Sequence, residues 1–437
     1  MTRHYRITAT GHSDDHQFDT DDPQQAIDTL HQWTFEATAC LDTDEEAARY
    51  AWVYRVSPAD LDGITVEVRG YQIDVSVSDP DAPELARYLH PAALASGSPQ
   101  VHARLALTEL VGPAYPTIAA WVAEHGALAT LAWLTDHEDA AWLRESMPYR
   151  HPTTIDTTAI LDYAARHGFC YLTAQDAGWP LRLPHPVYEV AGGAFTTPLG
   201  LWVHGTSRLD LLATDGGIAV VGRQDPSDYC GELAQRCAHA LTTQRVTVCA
   251  GLSGTGAAAH RGAALAAATG SGTRSVVVLP IGPGGRLNLT QCQRLAGSAE
   301  HAALVSCWPI GYTDYHQAGI ADRQDMLAAA MCGQFLQICG TDAPWQLAPA
   351  RLAAALHHQV VAIPGALDSA GARGPHRLIA EGTAGLITDA SDPLGLGHEP
   401  ARALAGPARV VESDPGLDHD RRCGCGGRGV HGIDHTD

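Results

Sequence analysis

Gly217-Ile-Ala-Val-Val-Gly222-Arg223-Gln224 is followed by Val246-Thr-Val-Cys-Ala-Gly251-Leu-Ser-Gly254-Thr-Gly256-Ala-Ala-Ala-His260-Arg261-Gly262. Each half is a short apolar run that stops at glycine and passes into a helical pattern. That is the βα unit in which backbone N–H groups and a helix N-terminus face a bound anion.

The pattern extends outward from these two turns. Apolar runs at Ile218 to Val221, Val246 to Cys249, Ser275 to Leu279, Ala303 to Ser306, Phe335 to Ile338 and Val360 to Ile363 are separated by helical segments. Strands buried on both faces read as continuous apolar runs, and alternation with helices argues a parallel sheet. The expected fold class is therefore α/β: an extended, Rossmann-like, mostly parallel doubly wound sheet spanning residues 198–394. Right-handed crossovers put the strand ends, each followed by glycine or proline, on one edge, where a ligand belongs.

At 437 residues the chain exceeds what one hydrophobic core usually organises. Residues 1–95 hold 18 acidic residues against 6 arginines and read as a separate acidic α+β module of unassigned role. Within it Arg6 to Thr10 is a predicted strand, Asp22-Pro23 opens a helix through Leu30 and Trp33, and a second helix is expected over Asp44 to Tyr54. Ile64 to Arg69 and Tyr71 to Val77 alternate around Gly70 as a hairpin. Pro91 to Gln100 is a linker. Residues 101–185 form a small helical domain of helix-hairpin-helix or SAM-like type, broken at Val111-Gly112-Pro113. Residues 395–437 are Pro-, Gly- and Asp-rich and read as a disordered tail; Cys423, Cys425, His431 and His435 within it are weak zinc candidates, since the His-x3-His spacing fits but the tight Cys-x-Cys pair and the five residues between the pairs leave little chain to wrap a tetrahedron.

No lysine occurs, so all 28 Lys+Arg residues are arginine, and the formal net charge is −21. Such acidity repels nucleic acid at long range unless arginines gather on one face. No long uninterrupted apolar run and no signal-peptide core appears, so a cytoplasmic location without membrane association is expected. Cys230, Cys237, Cys249, Cys307 and Cys339 lie in apolar or helical segments and read as reduced core residues.

Taken together, these blocks resemble the DNA-processing protein A family (DprA, or Smf), from about Ala103 to Leu394. Leu201-Trp-Val-His-Gly205 is similar to its entry strand, and Ile218-Ala-Val-Val-Gly222 to its first glycine turn. Gly251-Leu with Ala259-His260-Arg261-Gly262 resembles its Ser-Gly-Leu signature. Val360-Val-Ala-Ile-Pro364-Gly365, Gly374 and Arg377 to Gly382 resemble its closing segment, and Asp176 to Leu183 its Asp-x-x-Tyr-Pro-x-x-Leu entry. The resemblance implies single-stranded DNA binding, a homodimer, a RecA-type recombinase partner, and a role in DNA processing, recombination or natural transformation. It implies no catalysis and no cofactor. The chain departs from the family pattern with Gly222-Arg223-Gln224 for Gly-Ser-Arg, Gly254-Thr255-Gly256-Ala257 for Arg-Gly-Ile-Asp, and Asp322-Arg323-Gln324-Asp325 for Arg-Arg-Asn-Arg. The family's frequent C-terminal winged helix has no counterpart.

The candidate nucleic-acid or anion-binding residues are Gly222, Arg223, Gly251, Gly254, Gly256, His260, Arg261, Arg323 and Arg377. Arg223, just past the first strand, leads them. The glycines serve either a close phosphate or the turn itself; His260 serves either a ligand or a neighbouring carbonyl. Trp345 either stacks a base or fills a joint. An alternative reading is a sensor that holds a nucleotide-like ligand in the same crevice, and another is a protein-docking role with an inert pocket. Hydrolysis is not expected: Pro283-Gly284-Gly285-Arg286 lacks the glutamate of the phosphoribohydrolases that share this type of fold, and no Ser/His/Asp set has workable spacing.

Overall fold

The computed structural model describes residues 4–10, 16–38, 64–68, 71–78, 99–113, 115–137, 154–176, 178–181, 185–205, 217–252, 254–271, 275–284, 302–312, 320–391 and 409–410, with a few single positions between them. The N-terminal stretch holds β1 (His4–Thr10), β2 (His16–Thr20), α1 (Pro23–Thr38), β3 (Ile64–Val68) and β4 (Tyr71–Ser78). Its strands pair antiparallel in the order β2-β1-β4-β3. One face of the sheet and one stripe of α1 share a core of Ile7, Leu30, Val66 and Ile73. The helix expected over Asp44 to Tyr54 lies outside the described residues.

The helical region contains α2 (Pro99–Val111), α3 (Pro116–His125), α4 (Ala127–Asp136) and α5 (Thr157–Arg166). Gly112 ends α2 at φ +71 and Gly126, at φ +84, separates α3 from α4, one more break than the sequence shows. Next come β5 (Phe169–Leu172), the hairpin β6 (Val187–Val190) and β7 (Gly193–Thr196), and β8 (Leu201–His204). Leu105 of α2 and Ala164 of α5 share a core with Phe169, Trp202 and Val277, so these helices pack onto the sheet.

The main sheet continues through β9 (Gly217–Val221), α6 (Asp228–Thr243), β10 (Thr247–Gly251), α7 (Gly254–Ala266), β11 (Ser275–Val278), β12 (Ala302–Ser306), α8 (Ile320–Met331), β13 (Gln334–Gln337), α9 (Pro344–Ala355), β14 (Gln359–Ala362), α10 (Arg373–Ala380) and β15 (Gly385–Leu386). Its order is β15-β14-β13-β9-β10-β11-β12-β8-β5. β9 to β15 are parallel, while β8 joins β12 antiparallel. All six apolar runs become strands.

Helices cover both faces. α6 and α7 pack on Ile218, Val220, Val248 and Ala250; α8, α9 and α10 pack on Ala219, Val221, Phe335 and Ala362. Successive residues of β9 thus feed opposite cores, the period-2 geometry of a strand. Each fully buried Val or Leu contributes roughly 1.5–3 kcal/mol. β9 pairs with both β10 and β13, so chain order reverses there, the switch point at which doubly wound sheets open a crevice.

Arg409–Val410 forms β16, antiparallel to β6. Part of the tail read as disordered therefore adds to the β6–β7 hairpin. Cys423, Cys425, His431 and His435 lie outside the described residues.

Candidate nucleic-acid interface

At the strand-end edge, the turn after β9 and the start of α7 are fastened together. Thr255 donates both its backbone N–H (3.0 Å) and its Oγ1 hydroxyl (2.9 Å) to the Arg223 carbonyl. A Cβ on Gly222 would lie 2.5 Å from Thr255 Oγ1, and one on Gly256 would lie 2.2 Å from the Gly251 carbonyl oxygen. Gly254, at φ +58, has the carbonyl oxygens of Gln224 and Arg223 at 2.3 and 2.4 Å from its would-be Cβ. These three glycines are occupied by turn-to-turn contact, whatever else approaches. Gly251 alone of the four opens outward, with only the Gln324 amide nearby, at 3.7 Å.

A cleft opens here, lined by Val220, Gly222, Gln224, Gly251, Gly256, Gln324 and Asp325. Gln324 is 6% exposed and donates Nε2 to the Val278 carbonyl at 2.5 Å, closing the end of β11. Asp325 sets a carboxyl group into the wall, opposing an anion where the family resemblance expects arginine.

The candidate cations separate into distinct environments. Arg223 is half-buried beside the cleft, and Arg261 is exposed on α7. Arg323, exposed on the first turn of α8, holds its guanidinium 5.9 Å from the Trp308 ring centroid, and Trp308 stacks on Tyr312 at 4.6 Å and 8°. Arg377 pairs instead with Glu381 one helical turn away. Glu381 also accepts from Arg351, which reaches the Ala191 carbonyl. Burial acts to raise the Glu381 pKa, but the hydrogen bonds and positive charges of these two arginines outweigh it and hold the pKa below the usual value. Arg377 thus belongs to a structural network joining α9, α10 and the β6–β7 hairpin.

His260 is 1% exposed, and its Nε2 bonds the Ala250 carbonyl at 3.2 Å. Burial pushes its pKa down to about 4, so the ring is neutral near pH 7 and ties α7 to β10 instead of facing a ligand.

Three edge residues escaped the sequence reading. Arg373 is exposed on the first turn of α10, carried to the edge by the Gly374 N–H bond to the Gly340 carbonyl (2.9 Å). Its signal was an arginine immediately before Gly374. Tyr229 on the first turn of α6 is 62% exposed, and Leu367, in the loop after β14, is 89% exposed. Trp345, 49% exposed on the first turn of α9, presents a face and does not fill a joint. Tyr229 and Trp345 flank the switch between β9 and β13 from opposite faces of the sheet. Asp225, Asp228, Asp342 and Asp368 are exposed at the same edge. Pro283 and Gly284 belong to a turn held to the loop after β12 by the Gly311 N–H bond to the Pro283 carbonyl (2.7 Å); Arg286 lies outside the described residues. Among the described residues no group of three or more His, Cys, Asp or Glu is placed to hold a metal, and no helix is long and apolar enough to cross a membrane.

Fold and edge together define a Rossmann-type α/β protein with an open strand-end interface. The model of the DNA recombination-mediator protein A family matches residues 171–396, and the chain belongs to that family. It is 29% identical over 246 residues to proteins named as DNA processing protein DprA in two strains of Mycobacterium tuberculosis, covering 53% of this chain and 58% of the relatives. The chain thus spans little more than half the length of these curated relatives. DNA processing protein A of Streptococcus pneumoniae superposes with a TM-score of 0.44 and 20% identity over 59% of this chain and 85% of that one. The Helicobacter pylori protein, described for its single-stranded DNA binding mode, gives 0.38 and 16% over 45% and 85%.

Proposed function

We propose that the chain acts in DNA processing by binding single-stranded DNA along the strand-end edge of its parallel sheet. The observation that carries this reading is the line of Arg223, Arg323 and Arg373 at one edge, beside the exposed rings of Tyr229 and Trp345. Cations spaced along an open edge follow a phosphate backbone, and exposed rings accept bases irrespective of sequence. Family membership supports the same reading.

Magnitudes decide which contact dominates. Three arginines against five neighbouring aspartates give little net attraction, whereas base stacking is worth about 1–3 kcal/mol per base. Binding therefore rests as much on Trp345 and Tyr229 as on charge. Retention of a labelled single-stranded oligonucleotide, titrated against salt, tests this; no retention even near about 50 mM salt rejects it.

A second reading, a nucleotide-like ligand in the switch crevice, is favoured by the polar lining of Gln224, Gln324 and Asp325. Carboxyl and amide groups suit ribose hydroxyls and base edges better than phosphate. The homodimer and the recombinase partner come from the family resemblance; light scattering of the purified chain tests the first, and co-sedimentation with a RecA-type filament on single-stranded DNA tests the second.

A further inference from the structure

The loop after β12 carries the ring on which Arg323 rests, and a side chain of the helical region holds that loop. Tyr312 donates its backbone N–H to the Pro309 carbonyl at 3.1 Å, closing a β-turn over residues 309–312. Gly311 stands third in the turn at φ +71, the type II pattern. The turn folds the chain back on itself, so Tyr312 stacks on Trp308, and Arg323 lies over Trp308 within cation–π range. The sheet fixes the two ends of the loop: Trp308 N–H bonds Ser306 Oγ at 3.1 Å, and Gly282 N–H bonds the Tyr312 carbonyl at 3.2 Å. The middle belongs to the helical region. Glu109, half-buried in the last turn of α2, accepts the Ile310 N–H at 2.8 Å. The Ile310 side chain packs on the core that contains Leu105 of α2 and Ala164 of α5.

We propose that Glu109 is a positioning residue for the DNA-binding edge: by holding the turn at Ile310 it keeps the Trp308–Tyr312 stack beneath Arg323, and so makes the helical region part of the interface. The effect on DNA rests on the function proposed above; the hold on the turn does not. Charge separates this role from a simpler one. A carboxylate near a phosphate-binding edge is repulsive, so removing it for its charge alone should tighten binding. Removing it as a brace should weaken binding, because the Ile310 N–H is left without its acceptor and the turn gains freedom to rearrange. Arg323 then loses the ring that orients it. Glutamine at position 109 keeps a side-chain carbonyl for the Ile310 N–H and discards the charge.

The test is a salt titration of a labelled single-stranded oligonucleotide against the full-length chain, read beside hydrogen exchange. Glu109→Ala should lower the slope of log K against log salt by about 0.7, the share of one phosphate, and the affinity about fourfold near 0.15 M salt. Arg323→Ala should do the same, and the double variant should bind no more weakly than Arg323→Ala alone. Glu109→Gln should keep the wild-type slope. Exchange across residues 308–312 should accelerate in Glu109→Ala and not in Glu109→Gln. Should Glu109→Ala fail to fold, Ile310→Pro removes the donor of the same bond at a turn position that favours proline, and must give the same fall in slope. Tighter binding by Glu109→Ala, additive losses in the double variant, or a Glu109→Gln slope equal to that of Glu109→Ala overturns the positioning role. A wild-type slope in Ile310→Pro does so too. Unchanged exchange in Glu109→Ala overturns the hold on the turn. Absence of oligonucleotide binding by the wild type rejects the function proposed above, while exchange still decides the hold.

Discussion

Arg223 and Arg377 carry the same charge and stand in different environments. Arg377 is matched by Glu381 on its own helix, whereas Arg223 borders the cleft on a turn fixed through its own carbonyl. Each neutralised phosphate on a single strand contributes about 0.7 to the slope of log K against log salt. Three edge arginines then predict a slope near −2, and Arg223→Ala should reduce it by about 0.7, while Arg377→Ala should leave it unchanged; titrating oligonucleotide affinity against salt checks both. The sequence shows where each arginine lies along its element but not its partner: Arg351, which shares Glu381, stands far away in the chain. His260 follows the same logic. Its pKa is about 4 when folded against about 6.5 when unfolded, so the unfolded chain binds the proton more readily. The stability from the neutral ring is present above pH 6.5 and is lost as pH falls toward 4, up to about 3 kcal/mol. His358, also pushed down to about 4 by burial, acts in the same direction. His260→Gln should therefore lessen, not abolish, the drop in urea midpoint between pH 7 and pH 5.

At the scale of elements, the parallel strands were legible because burial on both faces leaves no polar alternation to confuse the reading. β6, β7, β15 and β16 were not: runs of four residues or two, in a small separate sheet or at the margin of the large one, carry too little pattern, and β16 pairs with a strand far away in sequence. The glycines identified the βα turns correctly, but what they touch depends on two elements meeting. Gly262 shows this most sharply. A Cβ there would lie 2.0 Å from the Gln235 carbonyl oxygen, because α6 and α7 pack backbone to backbone across a seam of alanines. Gly262→Ala must force the two helices apart. We expect a loss of about 1–3 kcal/mol in urea unfolding, with Gly231→Ala as the control, since nothing lies within 4 Å of a Cβ there.

Across the whole molecule, the question is whether the edge acts as one continuous surface or as a single crevice. A continuous surface needs the groups on β9, β13 and β14 to act together on one ligand. Trp345 and Tyr229, straddling the switch point, are engaged only by a ligand longer than one nucleotide. Affinity should then rise with oligonucleotide length and level off once the edge is covered. Trp345→Ala should weaken a long oligonucleotide by about 1–3 kcal/mol, leave the salt slope unchanged, and have no effect on a mononucleotide. A crevice ligand behaves in the opposite way. A mononucleotide at one hundred times its Kd would stabilise the fold by about 2.7 kcal/mol, visible as a shift in Tm, and Trp345→Ala would not alter that shift. Length-dependent binding that is sensitive to Trp345, with no mononucleotide shift, favours the continuous edge. A mononucleotide shift without oligonucleotide binding transfers the function to the crevice and makes Gln324 and Asp325, not the arginines, its determinants.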